Sequence, residues 1–494
     1  MAIKKLAKKS VEGQTSVCQQ PGQARPAVVS VLGHVDHGKT TLISKIYEKD
    51  LTKKEFGGIS QHIGAYQITY QGKKITFIDT PGHVSFSKMR SRGAKVADLV
   101  VLVVAADEGV KPQTSESLKH IQEAKTPFLV AINKIDLPNI NLDWVKKDLA
   151  ENGILVEGYG GDIVAIPVSA KTGKGIDDLL EMILLLGEMT QLKADPEGKL
   201  EAVVIESKLD PRKGPLATIL IRNGSLKVGD EVVVENFKGK IKAMLSDRGE
   251  NLKIAGPSQA VEVLGFSGVP PVGAKVEIVI GGRQDFSSPK PEIKPEVSSK
   301  AEKQLKVILK ADTQGTLEAI SGSLAEEIRV IFGGVGNINE SDVLLARTTN
   351  AELVGFNVKA PQAVKKLAES EGIKIKTYKV IYELLGDLEK RVLKILEPTI
   401  DEEILGLAEI VAEFVVKKQR VAGCRVKEGR ISKQSPLHLR RGEKILGDCQ
   451  IISMKTGKTD IDKAKKGEEF GAVFSTQIDF KIGDMLISFK KLPQ

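Results

Sequence analysis

The chain has 494 residues, too many for one hydrophobic core, so it divides into three to five domains. No apolar run approaches the ~18 residues of a membrane span, and the cysteines, Cys18, Cys424 and Cys449, are spaced neither as zinc ligands nor as a disulfide framework, which fits a reducing compartment. The net charge of +9 is uneven: residues 26–190 hold 19 Lys and Arg against 20 Asp and Glu, whereas residues 415–444 hold 10 against 2, a footprint suited to nucleic acid. Aromatic residues are only 4% of the chain, which argues against recognition by base stacking along a single strand.

Residues 1–24 are polar, lysine-rich and interrupted by Pro and Gly, and read as a disordered basic tail. The opening Met1–Lys9 lacks the apolar core of a secretory signal, and it is short and poor in arginine for an organellar transit peptide. From residue 25 to 190, apolar strand-like runs alternate with helical patterns, which predicts a mostly parallel sheet covered by helices. The first run, Val28 to Leu32, leads into Gly33-His34-Val35-Asp36-His37-Gly38-Lys39-Thr40, the pattern G-x-x-x-x-G-K-[ST]. The two glycines let the backbone wrap a phosphate, Lys39 reaches the β- and γ-phosphates, and Thr40 offers a hydroxyl to Mg²⁺. The helix opening at Thr41 adds its positive end.

Three further motifs follow in chain order. Asp79-Thr80-Pro81-Gly82-His83 lies at the end of the apolar run Ile75–Ile78; Asp79 is placed for the Mg²⁺ shell and the Gly82 N–H for a γ-phosphate. Asn133-Lys134-Ile135-Asp136 follows Phe128–Ile132, and the Asp136 carboxylate can accept from guanine's N1–H and amine, which adenine cannot offer. Ser169-Ala170-Lys171 follows Ile166–Val168 as a loop suited to closing over a base. Together they predict a GTPase domain over residues 25–190, with GTP or GDP and Mg²⁺ as its ligands.

Beyond it, short alternating strands broken by Asn223-Gly224 and Val228-Gly229-Asp230 predict a β-barrel over residues 191–283. Repeated Pro, Lys and Ser mark 284–303 as a linker. Residues 304–379 return to an α/β pattern. Ile381, Leu384, Leu385, Leu388, Val392, Ile395 and Leu396 recur at helical spacing, so 380–398 is a connecting helix, its stripe being either core packing or one face of a rod. A second barrel is expected over 399–494.

The chain resembles bacterial-type translation initiation factor 2, one of the translational GTPases. The resemblance rests on the motifs above with Gly57-Gly58-Ile59-Ser60-Gln61-His62-Ile63-Gly64-Ala65-Tyr66 and Met89-Arg90-Ser91-Arg92-Gly93-Ala94. It rests also on Lys310–Ala319, Gly334–Val343 and Gly355–Val358, which elongation factors lack. The resemblance implies that His83 is the catalytic residue orienting water, with Val35 and Ile59 an apolar pair that restrains it. It implies that Ser60, where the family usually has threonine, joins Thr40 and Asp79 at the metal. It also implies that the terminal barrel binds formylmethionyl initiator tRNA through Lys417, Gly423, Cys424, Lys455, Glu469 and Gly471.

Thr456 and Gly457 stand where that family has an arginine and an aromatic residue, and Phe470 where it has a cysteine. Lost contacts there would weaken the terminal adenosine and phosphates by roughly 1–3 kcal/mol, which Lys458, Arg420 or Arg425 could offset. Cys424 could equally be a small buried hydrophobe. The implied function is a GTP-hydrolysing initiation factor acting in the bacterial cytoplasm as a monomer, away from membranes. Its implied partners are both ribosomal subunits, including large-subunit RNA, and initiator tRNA, with other initiation factors an open class. An organellar location is the less favoured alternative. Two rival readings are a GTP-gated RNA-binding switch with little useful hydrolysis and an elongation-type tRNA carrier.

Overall fold

In the computed structural model, the described residues are 22–48, 60–279, 304–396, 402–416, 419–442, 444–457, 459–475 and 479–491. They fall into two units, residues 1–389 and 390–494. The linker expected at 284–303 lies outside the described residues, as do Ile59, Lys417, Lys458 and residues 1–21. Gln23–Ala24, expected within the disordered tail, instead forms a strand, β1, because its main chain pairs antiparallel with β8 (Lys193–Ala194).

The first unit begins with an α/β layer. Its strands are β2 (Ala27–Gly33), β3 (Gly64–Tyr70), β4 (Lys73–Asp79), β5 (Leu99–Ala105), β6 (Phe128–Asn133) and β7 (Ala165–Pro167). They lie in the order β3-β4-β2-β5-β6-β7, with only β3 antiparallel to its neighbour. Every residue of β2 and β5 is buried, which is why they read as continuous apolar runs: a parallel strand with helices on both faces has no wet side. The helices are α1 (Lys39–Ile46), α2 (Ser87–Val96), α3 (Pro112–Ala124), α4 (Leu142–Glu151) and α5 (Ile176–Met189). The four motifs sit at the carboxyl ends of β2, β4, β6 and β7, the edge where open α/β sheets bind ligands.

A seven-stranded antiparallel barrel follows between Glu201 and Ile278, closed where Glu231–Val234 pairs with both Phe237–Leu245 and Lys275–Ile278. Its seam with the α/β layer centres on Asp98. That carboxylate accepts from Arg25 at 2.6 and 2.7 Å, from Arg222 at 2.8 Å and from the Val28 amide at 3.0 Å. Four donors on one buried carboxylate compensate its desolvation.

The third layer is a parallel four-stranded sheet, Leu305–Ala311, Ile328–Val335, Glu352–Phe356 and Ile375–Tyr378, covered by α6 (Gln314–Ser323), α7 (Glu340–Thr349) and α8 (Gln362–Ser370). Helix α9 runs Ile381–Leu396, and Ile381, Leu384 and Leu388 are buried. The first turns of α9 thus pack as core.

The second unit is antiparallel, built on the long hairpin Glu402–Val416 and Gln419–Ser432. Its core includes Ile410, Cys424, Met454, Phe470, Phe480 and Leu486. Among the described residues no helix is long and apolar enough to cross a membrane.

Candidate functional site

Helix α1 opens without a side-chain cap and without an acidic residue in its first turn, so its first N–H groups are left for a ligand. The residue before it, Gly38, has φ +83°, and a Cβ there would collide with the Asn133 amide. Glycine is required twice over: for the left-handed backbone and for the close approach of the base-side motif. Asn133 exploits that approach. Its Nδ2 donates to the His37 carbonyl at 2.8 Å and its Oδ1 accepts from the Ala170 amide at 3.0 Å, joining three of the four motifs through one side chain. His37 is buried, and its Nδ1 accepts from the Ala105 amide at 3.2 Å, which ties the loop to β5. Burial pushes the His37 imidazole down to about 4, so it stays neutral.

Asp136 accepts from the Ser169 hydroxyl at 2.7 Å, and this bond is the main reason its carboxyl is held below its ordinary value. An ionised acceptor at the base edge is thereby assured at neutral pH. Lys39 is buried, and burial pushes its ammonium down to about 8 against the opposing pull of Asp79. A Cβ on Gly82 would collide with Lys39 Nζ and stand 3.0 Å from the Val35 amide, so the second motif touches the phosphate loop where a γ-phosphate would be sensed. The Val35 N–H donates to Gln113 Oε1 at 3.0 Å, a contact with no sequence signature.

Thr40 Oγ1 donates to Asp79 Oδ2 at 3.0 Å and also meets Ser60 Oγ. Two hydroxyls and a carboxylate on one point are hard oxygen donors, the set that suits Mg²⁺, which keeps several of its waters. The residues present fit that ion. Among the described residues no group of three or more His, Cys, Asp or Glu is arranged to hold a metal ion.

His83 is buried, with its ring edge-to-face on Tyr382 of α9 (centroids 4.0 Å apart) and 5.9 Å from Phe86. Its Nδ1 accepts from the Ser85 amide at 3.0 Å, which places the proton of the neutral ring on Nε2. Burial first, and then the Arg90 charge, push its imidazole down to about 4. In this arrangement His83 can orient water by donating from Nε2.

The segment after Ser60 is a junction that its sequence does not announce. Gln61 donates to the Lys379 carbonyl at 3.0 Å and accepts from the Ile381 amide at 3.3 Å, at the start of α9. His62 pairs with Asp312 at 2.8 Å. Consecutive residues of this segment therefore address the Thr40–Asp79 corner, the connecting helix and the third layer, the last two through partners 250 or more residues away that no local pattern reveals.

In the second unit, Gly423 faces Gly471 across paired strands, and Gly471 faces Lys455. Alternation places Ala412, Phe414, Gly423, Arg425, Glu469, Gly471 and Lys455 on the outer face. The result is a low floor at Gly423, Gly471 and Ala412, with the Phe414 ring and Val421 against it. Phe414, 56% exposed and equally without a sequence signal, borders it: a Cβ on Gly423 would stand 3.1 Å from the ring. Arg425 pairs with Glu469 at 2.8 Å, and Lys455 with Asp460 at 3.4 Å. Of the two readings open for it, Cys424 takes that of a small buried hydrophobe. Its side chain, like that of Phe470, points to the opposite face and lies in the core, where burial pushes the thiol up to about 12.

Residues 25–188 match the family described as Elongation factor Tu GTP binding domain, 199–279 that described as Elongation factor G domain 2, and 286–389 that described as Translation-initiation factor 2. The chain is 43% identical over 493 residues to Translation initiation factor IF-2 of Clostridium novyi (strain NT), covering 94% of this chain and 72% of that protein. It is 44% identical to the protein of the same name from Caldanaerobacter subterraneus subsp. tengcongensis, covering 94% and 69%, and 42% identical to that of Staphylococcus aureus (strain MSSA476), covering 94% and 70%. Among solved structures, GDP-bound aIF5B from Aeropyrum pernix is 27% identical, with a TM-score of 0.46 over 94% of this chain and 92% of that one.

Proposed function

Since the chain belongs to the translation initiation factor IF-2 family and is a GTP-dependent initiation factor and GTPase, we propose that it places formylmethionyl initiator tRNA on the small ribosomal subunit and promotes joining of the large one. It acts as a monomer in a bacterial-type cytoplasm. Neither rival reading is favoured, the non-hydrolysing switch or the elongation-type carrier. The observation that carries the proposal is the meeting of Thr40, Ser60 and Asp79 beside the Gly82–Lys39 contact: one corner where a γ-phosphate would be felt by two loops at once.

Gly33, His34, Val35, Asp36, His37, Gly38, Lys39, Thr40 and Thr41 cradle the phosphates. Asn133, Lys134, Asp136, Ser169, Ala170 and Lys171 close on guanine. Thr40, Ser60 and Asp79 hold Mg²⁺, which when bound neutralises charge on the phosphoryl oxygens. Lys39 opposes the same charge, and an anion beside it returns its ammonium toward the usual lysine range. His83 is the water-positioning residue, released from Tyr382 when large-subunit RNA draws it toward the nucleotide. Ser60 keeps the hydroxyl of a threonine without its β-branch, so its own side chain is less restrained at the metal.

On the terminal barrel, Gly423 and Gly471 form the floor on which the aminoacylated end of the tRNA lies. Phe414 supplies a ring in place of the one absent at Gly457, Lys455 and Glu469 rim the pocket, and Lys417 is a further tRNA-binding residue. Cys424 contributes through its backbone and through packing that keeps the floor flat. GTP turnover by the full chain, with and without bacterial ribosomes and with charged initiator or elongator tRNA, tests the reading. Ribosome stimulation together with selective retention of the initiator supports it; turnover indifferent to ribosomes refutes it.

A further inference from the structure

Arg90 on α2 has no exposed surface. A guanidinium removed from water is tolerated only where acceptors surround it, and three of the four acceptors here belong to one loop. Nη1 donates to the carbonyl of Pro81 at 3.2 Å and to that of His83; Nη2 donates to the carbonyl of Val84 at 3.4 Å. Nη2 also donates to Glu116 Oε2 of α3 at 2.7 Å, which fixes the fork from behind. The loop is thus gripped on two sides. Gly82 lies against Lys39 and the Val35 amide on the nucleotide side, and the carbonyls flanking it are held from the core side by one side chain.

We propose that Arg90, braced by Glu116, is a positioning residue for GTP hydrolysis: it sets the main chain of residues 81–84 so that His83 can turn toward the attacking water without the loop leaving the γ-phosphate. The inference rests on the reading of His83 as the water-positioning residue. A plain core arginine would spread its donors over the elements it packs between, whereas this one spends three of them on carbonyls within four residues of chain. Planarity matters. A lysine brings the same charge but a single point of donation, which cannot span three carbonyls. The Arg90 charge also works with burial to keep His83 neutral.

The test is ribosome-stimulated GTP turnover of the full chain, with nucleotide affinity and thermal melting measured on the same samples. Arg90→Lys and Arg90→Gln should lower kcat on the order of 10-fold, with GTP affinity and the KM for ribosomes within about twofold, since the lost interaction acts on the transition state. Combined with His83→Ala, Arg90→Gln should slow turnover no further, because residues acting as a unit are not additive. If Arg90→Gln fails to fold, Glu116→Gln, altered at a 27% exposed side chain, carries the test with a fall of about threefold in kcat. A folded, GTP-binding Arg90 or Glu116 variant with wild-type kcat overturns the proposal, as does a double variant slowed by the product of the single effects. If His83→Ala alone leaves turnover unchanged, the reading of His83 fails and this inference falls with it. Slow His83→Ala beside an unaffected Arg90→Gln overturns this inference alone.

Discussion

The nucleotide corner and the glycine floor of the terminal barrel are built on opposite plans. At the first, polar side chains from separate strands contact one another directly: Asn133 joins His37 to Ala170, Ser169 holds Asp136, and Thr40 meets Ser60 and Asp79. At the second, side chains are withdrawn. Two facing glycines keep the surface low beside Phe414 and Val421, and the charged neighbours Arg425, Glu469 and Lys455 are paired with one another or with Asp460. A phosphate or a guanine edge is small and presents the same atoms each time, so preorganised donors recognise it. A flat surface beside an exposed ring suits a large ligand that is planar in places, such as the proposed tRNA end, without many fixed partners.

The largest expected effect breaks the nucleotide corner. Asp136→Asn should weaken GTP on the order of 10³-fold, since a site built to pair with a donor rejects a mismatched edge strongly. It should gain xanthine nucleotides, whose carbonyl accepts from the new amide. Nucleotide titration checks both, and wild-type protein that binds ATP as tightly as GTP would refute the assignment of the base loop.

His83→Ala follows. GTP binding should persist while ribosome-stimulated hydrolysis falls on the order of 10²-fold, the scale of a lost water-positioning group. Tyr382→Ala sharpens the point, because it removes the ring packed on His83. Turnover without ribosomes should rise severalfold, at about 1.4 kcal/mol for each factor of ten. An unchanged basal rate would mean that the ring contact restrains nothing.

On the barrel, effects should be smaller because no single contact dominates. Phe414→Ala should weaken initiator tRNA binding by about tenfold, near the lower end of what base–aromatic stacking contributes. A Cβ on Gly471 would meet Val421 only at an ordinary 3.4 Å, so Gly471→Val should fold normally while raising a branched group from the floor. Filter binding with formylated and unformylated tRNA across a salt series would separate the pocket from phosphate contacts, which give a salt slope with any tRNA. Equal slopes and equal affinities for both tRNAs in wild type would leave the floor without a role.

A separate expected effect concerns stability. His37 and His83 are both pushed down to about 4, mainly by burial, from an ordinary value of 6.5. Their neutral forms favour the folded state fully above pH 6.5, and that contribution is lost as pH falls toward 4, because the unfolded chain takes up the protons first. The first unit should therefore soften as the pH drops from 6.5 to 4. The second unit, where burial pushes the thiols of Cys424 and Cys449 up to about 12, should not follow it. Melting curves from pH 7 to 4.5, with His37→Asn flattening the first transition, check the sign.

What was legible in the sequence was whatever a local run of residues must do. A glycine-bracketed loop after a buried strand, an aspartate after another, and Asn-Lys-x-Asp after a third each carry their chemistry within a few residues, so the GTPase layer, its guanine nucleotide and the family could be read directly. The alternation of Gly423 with Cys424 was legible too, but which of them faces outward depends on the side the core lies, and that put Cys424 inside. Only the tertiary structure decided contacts between distant segments: Gln61 on the start of α9, His62 on Asp312, Tyr382 on His83, and the Arg90 fork on the loop it faces. Such contacts follow from how packed layers bring chain ends together, and no spacing encodes them. Local chemistry is written in the order of residues, whereas the coupling between sites arises only when the layers pack.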